Sequence, residues 1–364
     1  MTNIDFSTLK AAPRLLLEAR LCPVQGDRFQ PTGFADLGAA RYTLADGKTD
    51  MLLVESAQSV ANHLESAIWD DARCDLIEAL SGLPYVRIEV NGKDGPLGTT
   101  TSLHEPHRLN SGYIWTMAGD GALEQFKLDL ASALGVKARK GKKQKTDEGK
   151  ADGPAAMLDM RRIARGLFRY DPNTILHGAF LEKIDGRLRL ARALSGFIEA
   201  RNVRIAESGG VKTDRVDPKG DPKPDFGMVP FHRTEFVAES ITAYFNLDVA
   251  LLQGYGLGDP ATDLLIGLAL LKVRLFLEHG LRLRTACDLQ AMGDLRVTSP
   301  AGFEVPPTAA LLEAAPGYIE ACKPMFTDPA ITEVSGTYER KRTKPEADRG
   351  ADGASDLEGI EGEK

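Results

Sequence analysis

Residues 14–22, RLLLEARLC, form an apolar run closed by Pro23 and Gly26, the pattern of a strand inside a sheet. From 51 to 69 the residues Leu53, Ala57, Val60, Leu64 and Ala67 recur at intervals of three and four. That spacing predicts one face of a helix that would cover the sheet. Strand-like segments follow at 85–90, 175–181, 197–205, 231–243 and 281–287, and an apolar helix at 261–279 precedes the last of them. Asp259 or Thr262 is placed to cap this helix, and Gly280 lies just past its end. Strands joined by hairpin-like turns, with two long helices, predict an α+β sandwich with helices on one sheet face. Among such folds the expectation is a ferredoxin-like, RRM-type core. Residues 207–230, ESGGVKTDRVDPKGDPKPDFGMVP, are dense in Gly, Pro, Asp and Lys between strand-like flanks. They predict a hairpin or loop, inserted over 206–230, that projects from the core.

A chain of 364 residues, 43% hydrophobic, can bury a large core, and residues 1–336 are read as one domain carrying insertions. Two stretches stand outside it. Residues 137–150, KARKGKKQKTDEGK, hold seven bases against two acids, so 137–155 is expected to be a flexible basic loop. Residues 338–364 are expected to be a disordered acidic tail. Seven acids against two bases in 345–364 put −5 of the net charge of −7 there, which leaves −2 for everything else. The acidic total therefore does not exclude a nucleic-acid partner. The N-terminus lacks a basic region followed by an apolar one, and no uncharged stretch is long enough to span a bilayer; a cytoplasmic protein is expected. Cys22, Cys74, Cys287 and Cys322 are far apart and form no CxxC pair, which suits reduced thiols and predicts no metal site.

Arginines cluster at 161, 162, 165 and 169, at 187, 189, 192, 201 and 204, and at 282 and 284. In GRLRLARAL (186–194) and LRLRT (281–285) they alternate with apolar residues, so strands there would present guanidinium groups on one face and leucines on the other. Such a row matches phosphate oxygens along a nucleic-acid backbone whatever its sequence. The plainer alternative is a solvated strand face with ordinary ion pairs. His104 and His107 flank a Glu, but Pro106 denies them the regular helix of a metalloprotease motif. His232, with Arg233 and Glu235 beside it, has the residue types for acid–base cleavage of RNA, although a structural or phosphate-contacting histidine is the simpler reading. Gly254, Gly256 and Gly258 fit a tight turn better than a nucleotide fingerprint. No Walker lysine, GxSxG elbow or RNP-like aromatic strand is present. No cofactor and no catalytic residue is expected.

The stretches RLLLEARLCPVQGDRFQPTGFADLG (14–38), LVESAQSVANHLE (53–65), YDPNTILHGAFLE (170–182), RLARALSGFIEARNV (189–203), MVPFHRTEF (228–236) and LRLRTACDL (281–289) together carry a resemblance. The chain resembles the CRISPR-associated RAMP proteins of the seventh Cas family, which form the backbone of type I-G (formerly I-U) Cascade complexes. The basic loop and acidic tail depart from that pattern, and nothing is carried onto them. The resemblance implies a hand-shaped, non-catalytic subunit: an RRM-like palm and a projecting thumb, several copies polymerising side by side along one CRISPR guide RNA. Its implied partners are that RNA, target DNA through the guide heteroduplex, other copies of itself and other Cascade subunits. The implied RNA-facing residues are Arg14, Arg20, Arg28, Ser56, Gln58, Ser59, Asn62, Arg201, Arg204, Lys212, His232 and Arg233. Lys219 and Lys223 would add contacts from the thumb. Gln58, Ser59 and Asn62 also fit the outer face of a helix. Thumb aspartates cut target RNA in type III relatives, but Asp214, Asp217, Asp221 and Asp225, set among Pro and Gly, read more simply as turn formers. Two rival functions remain: an endoribonuclease using His232 or His107, and a protein-only scaffold whose arginines pair with acidic partners.

Overall fold

The computed structural model describes residues 4–338 apart from 35–37, 120, 137–158, 183, 185–187, 222 and 224–226. The basic loop, almost all of the acidic tail, Arg187 and Asp225 therefore lie outside the described residues. In chain order the elements that carry the architecture are β1 (Arg14–Pro23), β2 (Arg41–Thr43), β3 (Asp50–Glu55), α1 (Ala57–Ser66), β4 (Tyr85–Gly92), β5 (Gly95–Thr101) and α2 (Gly121–Leu134). They continue as α3 (Met160–Tyr170), α4 (Pro172–His177), β6 (Leu194–Arg201), β7 (Arg204–Lys212), β8 (Val229–Val237) and β9 (Ser240–Asp248). The last are α5 (Asp259–His279), β10 (Arg282–Arg284), β11 (Cys287–Ala291), β12 (Arg296–Ser299), α6 (Thr308–Cys322) and β13 (Ile331–Thr337). The fold is mixed α+β.

β1 buries Leu15, Leu17, Ala19 and Leu21 and turns Arg14, Leu16, Glu18 and Arg20 the other way, the two-residue period of a strand packed on one face. It sits inside an antiparallel sheet of order β10-β11-β1-β9-β6-β3-β2, with β12 also pairing on β1. The neighbours repeat its period: Ile241, Ala243, Phe245 and Leu247 of β9 and Leu194, Ile198 and Ala200 of β6 are buried. α1 and α5 cover that buried face. Gly196 lets α1 lie close on β6, since a Cβ there would meet Phe245 at 2.7 Å and Val60 at 3.1 Å. Phe276 of α5 reaches Phe245 edge-on and stacks on His63 of α1, tying sheet to both helices. A second sheet pairs β13 in parallel with β4, which is antiparallel to β5.

Several expectations need correction. Residues 50–55 are a strand, not the first turns of a helix; α1 begins only after Ser56, whose Oγ accepts from the Ser59 amide at 3.3 Å. MLLV packs on both faces of a strand near the sheet edge, so its apolar run fits either period. Residues 172–177 are helical instead of extended, because Asp171 accepts from Asn173 and Thr174 and Pro172 starts the turn. The segment 197–205 divides between β6 and β7, and 231–243 between β8 and β9. The long helix has Gly258 at its N-cap and no side-chain cap; Thr262 Oγ1 donates back to the Gly258 carbonyl instead. Gly256 and Gly258 adopt positive φ, in agreement with a tight turn. Cys287 and Cys322 are buried, but Cys74 is exposed. Among the described residues no helix is long and apolar enough to cross a membrane.

Candidate nucleic-acid interface

The sheet face opposite α1 and α5 carries the outward residues of β1, β9 and β6. Register places Glu18, Tyr244 and Phe197 in one cross-strand row and Arg20, Thr242 and Glu199 in the next. Tyr244 and Phe197 stack with centroids 5.1 Å apart and an interplanar angle of 26°. Phe197 is 38% exposed and Leu16 36% exposed, so an apolar and aromatic strip lies open in the middle of the sheet. Arg14, Arg20 and Arg201 stand at its margins and are exposed. Arg14 pairs with Asp248 at 2.9 Å across β1 and β9.

β7 and β8 form a two-stranded ribbon inserted in the β6–β9 connection, with nine paired positions from Arg204↔Val237 to Lys212↔Val229. The projecting insertion expected over 206–230 is therefore a ribbon whose strands run on to Val237. At its base Phe29 exchanges both backbone hydrogen bonds with Phe236, at 2.9 and 3.0 Å. Arg28 and Arg233 share the carboxylate of Glu235, at 3.4 and 3.6 Å. His232 pairs with Glu207 across the ribbon, and both are exposed. At its far end Asp214 accepts from the amides of Val216, Asp217 and Gly227, which hold its carboxyl below the ordinary range. These are the bonds of a turn former.

α1 brings the third group. Ser56 caps the helix, and Gln58 and Asn62 lie exposed one turn apart, joined by a 3.2 Å hydrogen bond. Gln58 Oε1 also accepts from Arg192 Nη2 at 2.9 Å.

LRLRT is a strand face, with Leu283 of β10 buried and Arg282 and Arg284 on its other side, whereas the stripe in GRLRLARAL is broken. Among the described residues of GRLRLARAL only Arg189–Leu190 and Leu194 are extended, and Arg192 turns toward α1. In LRLRT, Arg284 turns inward to pair with the buried Glu55 and to donate to the carbonyls of Gln30 and Val54. Arg162 donates to the Ser132 carbonyl on α2. Several of these guanidiniums thus meet backbone carbonyls near helix and strand ends, a demand that sequence alternation does not reveal.

The named residues therefore fall into three places: the open sheet face, the ribbon and the start of α1. Sequence reading missed Phe197 and Tyr244 on the open face. Their signal is parity: in LSGFIEAR and SITAYFNLD each lies an even number of residues from polar outward neighbours.

The sequence profile of a family described as CRISPR-associated protein GSU0053 matches residues 15–205, just over half of the chain. The chain belongs to this CRISPR-associated family. No curated protein matches it. Among solved structures, a chain of a "CRISPR RNA-guided surveillance complex, pre-nicking" is similar at 13% identity and a TM-score of 0.38, over 76% of this chain and 74% of that one.

Proposed function

We propose that the protein is a non-catalytic backbone subunit of a type I-G CRISPR interference complex, which polymerises along guide RNA and presents it for pairing with target DNA. The observation that carries this reading is the ribbon that leaves the β6–β9 connection. A two-stranded ribbon is marginally stable by itself, and this one leaves Ile205, Val211 and Phe231 about half exposed beside Arg204, Lys212, His232 and Arg233. It needs a surface to lie on, and a neighbouring copy with RNA between them supplies apolar and anionic partners together. Contacts of this head-to-tail kind need not close into a ring and generate a helical filament.

Family membership supports the setting. The order β11-β1-β9-β6, with α1 between β1 and β6 and α5 between β9 and β11, supports a ferredoxin-like, RAMP-type palm of split βαβ units. Sequence specificity then rests with the guide, while the chain grips phosphates, and other Cascade subunits complete a cytoplasmic complex. Co-expression with a CRISPR array, followed by sizing with and without ribonuclease and sequencing of the RNA, tests this. Large particles holding array-derived guides and collapsing on digestion are expected. RNA-free protein of unchanged size, or repeat RNA cut by the protein alone, would contradict it.

A further inference from the structure

A cleft of about 540 Å³ opens between the start of α1, the 106–108 turn and the short hairpin that pairs Ala179–Phe180 with Arg189–Leu190. Its size is that of a small-ligand pocket. Arg108, Arg189, Arg192 and His107 face it, and among the described residues no carboxylate does.

The guanidiniums differ in how they are held. Arg108, 4% exposed, forms a two-bond fork with Glu65, 2.7 Å on each side, and is neutralised there. Its backbone lies at φ +48, a conformation costly for a residue with a side chain. Its Nη1 reaches the Gly178 carbonyl at 3.3 Å. Gly178 itself, at φ +74, could not carry a Cβ, which would meet the Leu190 carbonyl at 2.8 Å. Arg192 is half-buried, yet its partners are all neutral: the carbonyls of Ala57 and His177 and the amide oxygen of Gln58. Among the described residues no carboxylate pairs with it, nor with Arg189, whose guanidinium lies 4.5 Å over the ring of Phe180. Beneath them His177 is 2% exposed; its Nε2 lies 2.8 Å from Lys272 Nζ, and its Nδ1 has no partner among the described residues.

A half-buried guanidinium whose hydrogen-bond partners are all neutral is expensive. Backbone strain and a required glycine hold the cleft around it. This guanidinium and the exposed one of Arg189, beside an exposed aromatic ring, match a phosphate attached to a planar base.

We infer that this cleft is a binding site for the phosphate of a nucleotide, held by Arg189 and Arg192 with the base against Phe180. The inference rests on the RNA-binding reading for the source of the phosphate, but not for the site. The full chain, freed of RNA, is titrated calorimetrically at low salt with uridine monophosphate and with uridine. The monophosphate binds and uridine is at least roughly tenfold weaker, the loss expected for charge-assisted hydrogen bonds. Arg192→Gln and Arg189→Gln each weaken the monophosphate by roughly the same factor. Arg189 is exposed, so R189Q tests the site even if R192Q unfolds. Lys323→Gln, on an exposed lysine paired with Glu320 outside the cleft, leaves binding unchanged. A short oligouridylate with hydroxyl ends then separates the sources. If it competes, an internal phosphodiester of a strand occupies the cleft; if it does not, a terminal phosphate or free nucleotide does. Equal binding of uridine and its monophosphate, no binding of either, or wild-type binding by R189Q overturns the inference. A chain that takes the monophosphate yet yields no RNA-bearing particles keeps this site and loses the backbone reading.

Discussion

Arg108 and Glu65 are a buried pair whose charges depend on one another. Burial pushes the Glu65 carboxyl up against the pull of Arg108. Truncating the guanidinium in Arg108→Met strands that carboxylate and should cost about 3–5 kcal/mol of stability, measured by urea unfolding. Lys272 lies in the same cluster, facing Glu65, Asp171, Arg108 and His177. Its burial lowers it from 10.5 to about 7, so above that pH the unfolded chain binds the extra proton. Stability should then rise with pH. The raised Cys287 and Cys322 thiols, at about 11 and about 12, act in the opposite sense, but only near and above their ordinary value of 9.0. The rise is therefore cleanest from about pH 7 to about 8.5. Glu65 and Asp171 are raised by burial and lowered by Lys272, so removing the lysine would raise them further. Unfolding midpoints across this window should show a more positive slope for the wild type than for Lys272→Met; equal slopes would remove Lys272 from the linkage. None of these four groups was legible as a cluster, because Glu65, Arg108, Asp171 and Lys272 meet only after four separate elements have folded.

Elements with strong local periodicity were legible: β1 and α5 fall within a few residues of where their patterns place them. Where a segment is apolar on every side, as in MLLV of β3, periodicity cannot choose, and a strand read as helix resulted. The parallel pairing of β4 with β13 joins residues 246 positions apart, and nothing in either segment announces the other. The ribbon was legible as an insertion through its Gly, Pro and Asp content, but its strands reach further than that composition does, into RIAES and TEFV. Replacing residues 206–235 by a short Gly/Ser linker should leave the melting of the body close to the wild type. Among the ribbon's contacts with the body, Phe29 and Arg41 meet Phe236, which is kept, and Arg28 pairs with Glu235, which is removed. The same variant should lose RNA-dependent assembly, read by sizing after co-expression with an array. A ribbon variant that still assembles on RNA would deny the ribbon its role between copies.

At the scale of the whole molecule, −5 of the −7 net charge lies in residues 345–364, and arginines stand at the sheet margin, on the ribbon and in the cleft beside α1. Clustering of arginine was readable, but which of them are taken up by carbonyls and buried carboxylates was not, since that depends on helix and strand ends brought together by folding. Arg162, Arg284 and Arg108 are spent in this way; Arg20, Arg189 and Arg201 are exposed. A filament that follows a guide must count its length. Native mass spectrometry of particles co-expressed with arrays of increasing spacer length reads that directly. A backbone subunit gives one guide per particle and a number of copies that climbs in steps as the spacer lengthens; a copy number indifferent to spacer length, or particles without RNA, would contradict it.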